Sequence, residues 1–143
     1  EDADWWEKEI GQSIANGRFG ENLTTSGIDV NRALVGERWK IGTTILEVSQ
    51  PRIPCRVFAG FWQRPTLIKE FMASGKPGTY LRIIQEGHIN AGDEIEVISK
   101  PAHNVSIADL YAAKNGERSK VEEIAAVKEL SAKYQEWAQS LRS

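Results

Sequence analysis

The sequence predicts a mixed α/β fold: a strand-rich body that carries peripheral helices, followed by a three-helix C-terminal extension. Three observations lead to this prediction. Segments of alternating apolar and polar residues lie between positions 39 and 99, helix-capping patterns lie on both sides of them, and Pro101 marks the change from strand-rich to helical sequence. We therefore assign residues 1–102 to a β-rich core and residues 103–143 to the helical extension.

Length and charge already exclude several classes of protein. With 143 residues, the chain can form one domain whose core needs neither disulfides nor metal. Its 18 basic and 20 acidic residues give a net charge of −2, which excludes the uniformly cationic surface of a non-specific nucleic-acid binder. No apolar stretch approaches the roughly 18 residues of a membrane span, and no secretory leader is recognisable. We expect no nucleic-acid partner, no membrane and a cytoplasmic location.

The first elements are a helix and a hairpin. Asp4 is the expected N-cap of a helix that continues to about Ile14 and ends at the following Asn-Gly pair. The alternation within Trp39–Val48 predicts two strands around a tight turn. Pro51 and Pro54 then forbid a regular central strand, so a stiff loop is expected from position 49 to position 56.

A second helix and two more strands complete the predicted core. The helix opens at Arg64-Pro65, with proline at the tolerated first position, and ends at Gly75. Thr79–Gln85 and Glu94–Ser99 both alternate in the manner of strands.

The extension begins with two capping-box patterns, Ser106–Asp109 and Ser119–Glu122, each expected to start a helix of about ten residues. A further helix is predicted by apolar residues at spacings of three and four: Val127, Leu130, Tyr134, Trp137 and Leu141. We expect these helices to pack on one another or on a partner.

Cys55 is the only cysteine, so neither an internal disulfide nor a cysteine-based metal cluster can form. It lies in the segment Ser49–Arg56, between Arg52 and Arg56 and directly after a proline. Cationic neighbours stabilise a thiolate, which is both a nucleophile and a ligand for soft metals. The residues alone leave open that Cys55 is a small buried apolar side chain and that the arginines are solvated charges.

A second candidate is the run Gly20-Glu21-Asn22-Leu23, in which a carboxylate and an amide follow a glycine that allows close approach of a ligand. An ordinary polar turn is the alternative. The sequence has no dinucleotide-binding glycine motif, no complete phosphate-binding loop and no serine-hydrolase elbow.

Four segments, in order along the chain, resemble the MOSC family, named after the C-terminal domain of molybdenum cofactor sulfurases. They are Gly20–Thr24, Ser49–Cys55, Gly75–Arg82 and Gly87–Asp93. The tail that begins Val105–Tyr111 is similar to the three-helix extension of a bacterial branch of stand-alone MOSC proteins. The resemblance implies a mainly β, barrel-like core with peripheral helices around a cysteine pocket.

The resemblance also implies a cofactor and an activity. Cys55 occupies the position of the cysteine that ligates molybdenum of a pterin cofactor (molybdopterin) or carries sulfur, and the wider family implies pyridoxal phosphate binding as well. Related proteins reduce N-hydroxylated compounds, and bacterial members detoxify hydroxylamino-purines. Glu21 and Asn22 match the polar motif beside the cofactor, Asn22 being the safer match.

Three arginines complete the implied site. Arg52 and Arg82 match basic positions that could hold the phosphate of the pterin, and Arg56 is a weaker candidate.

Three functions follow from these residues. The preferred one is a molybdenum-dependent reductase of small N-hydroxylated substrates, with Cys55 as catalytic metal ligand and a redox protein as partner. The second is a sulfur carrier that takes a persulfide on Cys55 from a sulfur-donor protein. The third is a non-enzymatic interaction module formed by the helices of residues 103–143.

The family pattern includes an N-terminal segment, with a Lys-His-Gly-Gly stretch, that has no counterpart in this sequence. We therefore expect an incomplete barrel, or a homodimer in which a second copy covers the open edge. We also expect a pocket around Cys55 that is more open than a complete molybdenum site, and a chain that does not hold the cofactor on its own.

Overall fold

Six helices and four strands follow one another along residues 1–142, which are the residues that the computed structural model describes. In chain order they are α1 (Asp2–Ile10), β1 (Arg38–Ile41), β2 (Thr44–Pro51), α2 (Arg56–Phe61), α3 (Leu67–Ser74), β3 (Thr79–Gln85), β4 (Ile95–Ser99), α4 (Ile107–Lys114), α5 (Val121–Ala125) and α6 (Ala132–Ser140). The predicted mixed α/β class is confirmed. None of these helices is long and apolar enough to cross a membrane.

The four strands form one antiparallel sheet in the order β3-β2-β1-β4. The hairpin between β1 and β2 turns at Gly42, whose φ of 57° lies in the left-handed region. A side chain there would collide with the backbone carbonyl of His88, so both conformation and space require glycine. The hairpin positions β2, which leads directly to the segment that carries Cys55.

The sheet is open, so the barrel-like core implied by the family resemblance is not closed within the described residues. The described residues supply four strands, too few to bring β3 and β4 together into a barrel. Both edge strands expose apolar side chains, Tyr80 and Ile83 on β3 and Val97 and Ile98 on β4. The expectation of incomplete closure is confirmed.

Three predictions in the first half of the chain are wrong. One is the start of α3, which begins at Leu67 with Thr66 at its N-cap and not at Arg64-Pro65. Asp4 is not an N-cap, because α1 already begins at Asp2, and the helix ends before Ile14, because Gly11 adopts the left-handed C-cap conformation at φ 69°. Pro51 does not end β2 early. Since β1 pairs only with residues 44–47, Pro51 lies beyond that ladder and removes no hydrogen bond to β1.

The extension matches the sequence in its first helix and departs from it afterwards. Ser106 and Asp109 form the predicted capping box of α4. Ser119 caps nothing, because α5 starts one residue later than predicted, with Lys120 at its N-cap, and spans only five residues. The apolar stripe is also divided, since α6 begins after Ser131 and therefore leaves Val127 and Leu130 in the preceding segment.

The helical extension and the sheet share one hydrophobic core. Its buried members from the extension are Val105, Ile107, Leu110, Ala113, Ile124, Val127, Leu130, Tyr134 and Ala138. They pack with residues of β1 and β2, among them Trp39 and Val48, which are at most 1% exposed. Three of the five stripe residues, Val127, Leu130 and Tyr134, are therefore buried inside the same molecule, and Trp137 is partly buried against the same core.

The carboxylate of Asp109 stabilises the start of the extension by accepting two hydrogen bonds. Its Oδ2 atom accepts the N–H of Ser106 at 3.0 Å and a hydrogen bond from Lys120 Nζ at 3.1 Å. Burial acts to raise the pKa of Asp109, but these hydrogen bonds outweigh it and the pKa lies below its ordinary value. The stabilisation is therefore present above the unfolded-state pKa of about 3.9 and is lost as the pH falls through the lower, folded-state pKa.

We expect Asp109→Asn to lower the free energy of unfolding by about 1 kcal/mol at neutral pH. The difference from the unsubstituted protein should vanish at acid pH, where Asp109 is itself neutral. Urea unfolding at a series of pH values measures this, with Glu136→Gln as the control because Glu136 is exposed on α6 and forms no ion pair among the described residues. A difference that persists unchanged at acid pH would contradict the role of the charge.

Candidate functional site

Cys55 lies at the N-cap of α2, where the chain leaves the short loop after β2. Its backbone is extended, with φ −134° and ψ 171°, and its carbonyl accepts the N–H of Ala59 at 3.2 Å. The residue is exposed, so the alternative of a buried apolar cysteine is wrong. An exposed thiol can reach a metal, a small molecule or another protein.

Arg52 connects the segments that the sequence singled out. Its guanidinium donates a hydrogen bond to the carbonyl of Phe19, immediately before Gly20. Its backbone N–H donates to the carbonyl of Gly78 at 3.3 Å, and a Cβ placed on Gly78 would lie 3.5 Å from the Arg52 Cδ atom. Arg52 thus ties the segment before Cys55 to the loop that contains Glu21 and to the loop that leads into β3.

Glu21 and Asn22 differ in what they can offer a ligand. The Glu21 carboxylate accepts the N–H groups of Gly17 at 2.6 Å and Phe19 at 3.1 Å, as well as the hydroxyl of Thr24 at 3.3 Å. These hydrogen bonds hold its own loop together. Asn22 is exposed, and its side chain has no hydrogen-bond partner within residues 1–142, so its amide is available.

Arg82 is held elsewhere, on the sheet. Its Nη1 atom donates to Glu47 Oε1 at 2.6 Å, and Arg38 Nε donates to the other oxygen of the same carboxylate at 2.9 Å. Glu47 faces Arg38 on β1 and Arg82 on β3 in the strand register, which makes a three-residue ion-pair network across the sheet. The single negative charge of the Glu47 carboxylate balances the positive charge of only one of the two arginines.

Arg56 is the first residue of α2 and is exposed. Within the described part of the chain it forms no ion pair, unlike Arg82. Of the three candidate arginines, Arg56 has its whole guanidinium available and Arg52 has the N–H groups that do not bind Phe19. The available polar groups among the candidates are therefore Arg56, the remaining N–H groups of Arg52 and the amide of Asn22, and Arg52 links the Cys55 segment to the loop that contains Asn22.

An aromatic cluster that sequence reasoning missed holds this region in place. Phe19 contacts Phe58 and Trp62 edge-on, with ring centroids 5.1 and 5.3 Å apart. Because Phe58 lies within α2 and Trp62 caps its end, these contacts fix the loop of Glu21 against the helix that follows Cys55. Only the high aromatic content of the first 71 residues hinted at such a cluster.

Asn31 is a second residue that the sequence analysis missed. It is 6% exposed, and its side chain donates to Asp2 Oδ2 at 2.7 Å and accepts the N–H of Gly78 at 3.0 Å. Its carbonyl accepts the N–H of Ala108 at 2.7 Å. Asn31 thereby joins α1, α4 and the loop beside Arg52, and no local sequence pattern marks it for this role.

The donor set around Cys55 limits which metal could bind. Within residues 1–142, no group of three or more His, Cys, Asp or Glu side chains is arranged to hold an ion. A bare metal would therefore lack ligands, whereas a metal that brings most of its ligands in a cofactor needs only one from the protein. The donor types that the candidates offer, a thiol on Cys55 and guanidinium groups on Arg52 and Arg56, suit such a cofactor with an anionic arm.

The chain is similar to known proteins over most of its length. A family model described as the MOSC domain matches residues 1–96. The uncharacterized protein YflK of Bacillus subtilis is 28% identical over 103 residues, which are 72% of this chain and 47% of YflK. A protein named "Reductase" from Gibberella moniliformis is 30% identical over 95 residues, or 66% of this chain and 17% of that protein.

The fold has a counterpart among solved structures. The crystal structure of YiiM from Geobacillus stearothermophilus superposes with a TM-score of 0.90 and 32% identity, over 99% of this chain and 74% of YiiM. By contrast, the chain spans less than half the length of YflK and of the Gibberella protein.

Proposed function

This chain belongs to the MOSC domain family, and on that premise we propose that the full-length protein binds a molybdenum cofactor and reduces N-hydroxylated compounds, with hydroxylamino-purines as the substrate class. The observation that carries the proposal is the exposed thiol of Cys55, in the segment that Arg52 ties to the loop of Glu21 and Asn22. The name of the Gibberella relative, a reductase, agrees with this class of reaction.

In this proposal the protein binds and orients the cofactor. The Cys55 thiolate is the protein ligand of molybdenum, while Arg52 and Arg56 donate to the phosphate and Asn22 to the pterin. When bound, the cofactor supplies the two-electron chemistry that the side chains lack. Reduction of an N–OH group consumes two electrons and two protons and releases water, so the reaction also needs an electron donor.

Arg82 is assigned a different part in the proposal. Since its guanidinium is hydrogen-bonded to Glu47, its contribution to the site is to fix β3 against β2. We therefore propose Arg52, rather than Arg82, as the main anchor of the cofactor phosphate.

A sulfur carrier is the second candidate, favoured by the same exposure of Cys55. A partner protein must reach the thiol to place a persulfide on it, and an exposed position allows this. Incubation with a cysteine desulfurase and cysteine, followed by mass spectrometry, would reveal one added sulfur atom on Cys55. Absence of the label, under conditions that label a known carrier, would count against this candidate.

The third hypothesis, an interaction module built from the extension, finds less support. Val127, Leu130 and Tyr134 are at most 7% exposed and belong to the core shared with the sheet. Their apolar surface is not available to a partner.

The preferred function is tested by measuring the molybdenum content and the reductase activity of the same sample. The full-length protein, co-expressed with the molybdenum-cofactor biosynthesis proteins, should contain close to one molybdenum per chain and should reduce a hydroxylamino-purine with a chemical reductant. Protein from a host unable to make the cofactor is the control, and it should contain no molybdenum and show no reductase activity. A metal-free, inactive protein from the cofactor-producing host would refute the proposal.

A further inference from the structure

We propose that Met72 is a site of reversible oxidation by hydrogen peroxide, and that its sulfoxide loosens the packing of α3 on α4 in the aromatic cluster behind the candidate site. Met72 is the only methionine of the chain and lies within α3. Access from solvent, the hydrogen bonds around its sulfur and its contact with the aromatic cluster support the proposal. Neither the oxidation nor its effect on packing requires the cofactor or the reductase activity proposed above.

A groove between the ends of α3 and α4 makes Met72 reachable from solvent. The groove has a volume of about 450 Å³, and Met72, Gly75, Ala112 and Asn115 are among the residues that line it. Met72 is only partly buried, in contrast to its neighbour Phe71, which is 2% exposed. Hydrogen peroxide is little larger than water, so it can enter a groove of this volume and meet the Met72 side chain.

The sulfur of Met72 lies next to a hydrogen-bond donor that is already engaged. The Tyr111 hydroxyl is 3.5 Å from Met72 Sδ, but it donates its single proton over a shorter distance, 2.7 Å, to the Phe71 carbonyl. Burial raises the pKa of Tyr111 above its ordinary value, so this hydroxyl remains a donor at physiological pH. A thioether is a weak acceptor and leaves the bond to Phe71 undisturbed, whereas the oxygen of a sulfoxide is polar and accepts strongly.

Oxidation of Met72 therefore makes two acceptors compete for one proton. A sulfoxide oxygen that accepts from Tyr111 takes the hydroxyl from the Phe71 carbonyl, which keeps only the hydrogen bond from Ser74 Oγ at 2.7 Å. A sulfoxide oxygen that turns to water in the groove instead draws the Met72 side chain away from the aromatic cluster, which it contacts when reduced. Both outcomes weaken the packing of α3 on α4.

The two helices remain joined through their backbones. Asn115 Nδ2, at the end of α4, donates to the Met72 carbonyl at 2.7 Å, and oxidation of the sulfur leaves this bond in place. We therefore expect the oxidised protein to stay folded with a looser cluster, rather than to unfold.

The oxidation needs a peroxide as its only co-reactant. The sulfur gives two electrons to hydrogen peroxide, the S–O bond forms as the O–O bond breaks, and water leaves. A methionine sulfoxide reductase reverses the step with a dithiol, which supplies two electrons and two protons and releases the oxygen as water.

Peroxide treatment of the protein tests the modification, after Cys55 has been alkylated with iodoacetamide so that its exposed thiol no longer competes. Mass spectrometry of the tryptic peptides should show one added oxygen on Met72. Addition of oxygen to tryptophan side chains while Met72 stays reduced would overturn the proposal.

Urea unfolding of the same samples tests the effect on packing, with Met72→Leu as the matched variant that keeps the volume and removes the sulfur. Peroxide should lower the equilibrium constant for folding of the alkylated protein roughly tenfold, as for the loss of one buried hydrogen bond, and should leave alkylated Met72→Leu unchanged. Equal losses in the two proteins, or no loss in either, would contradict the role of Met72.

A third measurement does not depend on the variant. Treatment of the oxidised, folded protein with methionine sulfoxide reductase and dithiothreitol should remove the oxygen from Met72 and restore the original urea midpoint. An oxygen that persists would overturn the reversibility. A midpoint that stays low after the oxygen is removed would show that the damage lies elsewhere than at Met72.

Discussion

Replacing Cys55 with serine is expected to remove the bound molybdenum and to lower the N-hydroxy reductase activity by at least about 100-fold. A serine hydroxyl is a harder and far less acidic ligand than a thiol, so it does not substitute for a thiolate on molybdenum. The fold should tolerate the change, because Cys55 is exposed and occupies an N-cap, a position that serine prefers. The loss is therefore predicted to be chemical rather than structural.

Three measurements on the Cys55→Ser protein separate the loss of a metal ligand from a loss of folded structure. Its melting temperature should equal or exceed that of the unsubstituted protein, while its molybdenum content and its rate with reduced viologen both fall. Ala73→Ser, which introduces a serine at an exposed position of α3, is the matched control and should change none of the three. A Cys55→Ser protein with full metal content and full activity would exclude Cys55 as the ligand.

The sequence predicted those elements whose signals are local. β3 spans the predicted residues Thr79–Gln85, and the capping box of Ser106 and Asp109 starts α4, because alternation and capping depend on residues a few positions apart. The helix α2 escaped prediction for the same reason. It is six residues long, contains Gly60, and has no side-chain cap hydrogen bond at Cys55.

The partners of the candidate site residues could not be predicted, since they depend on long-range contacts. Arg82 meets Glu47, 35 positions away, only because β2 and β3 pair in one particular register. Arg52 meets the carbonyl of Phe19, 33 positions away, only because Phe19 is held in the aromatic cluster. The family resemblance predicted both arginines as site residues, and the structure shows that Arg52 and Arg82 are bound differently.

The aromatic cluster behind the site should account for much of the stability of the protein. Phe71 is 2% exposed, stacks on Trp6 at a centroid distance of 5.5 Å, and contacts Phe58 edge-on at 5.5 Å. Tyr111 adds a third ring at 6.4 Å, and its hydroxyl donates to the Phe71 carbonyl at 2.7 Å. Phe71 thus joins α1, α2, α3 and α4.

Phe71→Ala is expected to lower the free energy of unfolding by about 3–5 kcal/mol, because it leaves a cavity that three rings cannot close. This is a large part of the roughly 5–15 kcal/mol that stabilises a typical domain. Urea unfolding measures it, with Phe61→Ala as the matched control, since Phe61 is 57% exposed and should cost less than about 1 kcal/mol. Equal losses in the two variants would show that the cluster is not a packed core.

The same substitution should also loosen the candidate site, because Phe58 and Phe19 pack in the cluster and hold the helix after Cys55 against the loop of Glu21. Under conditions where Phe71→Ala remains folded, proteolysis should therefore cut first between positions 17 and 26, in the loop of Glu21, and Phe61→Ala should not show this cleavage. If cleavage instead began in α5 or α6, whose buried residues belong to the core shared with the sheet, the cluster would not be what positions Cys55.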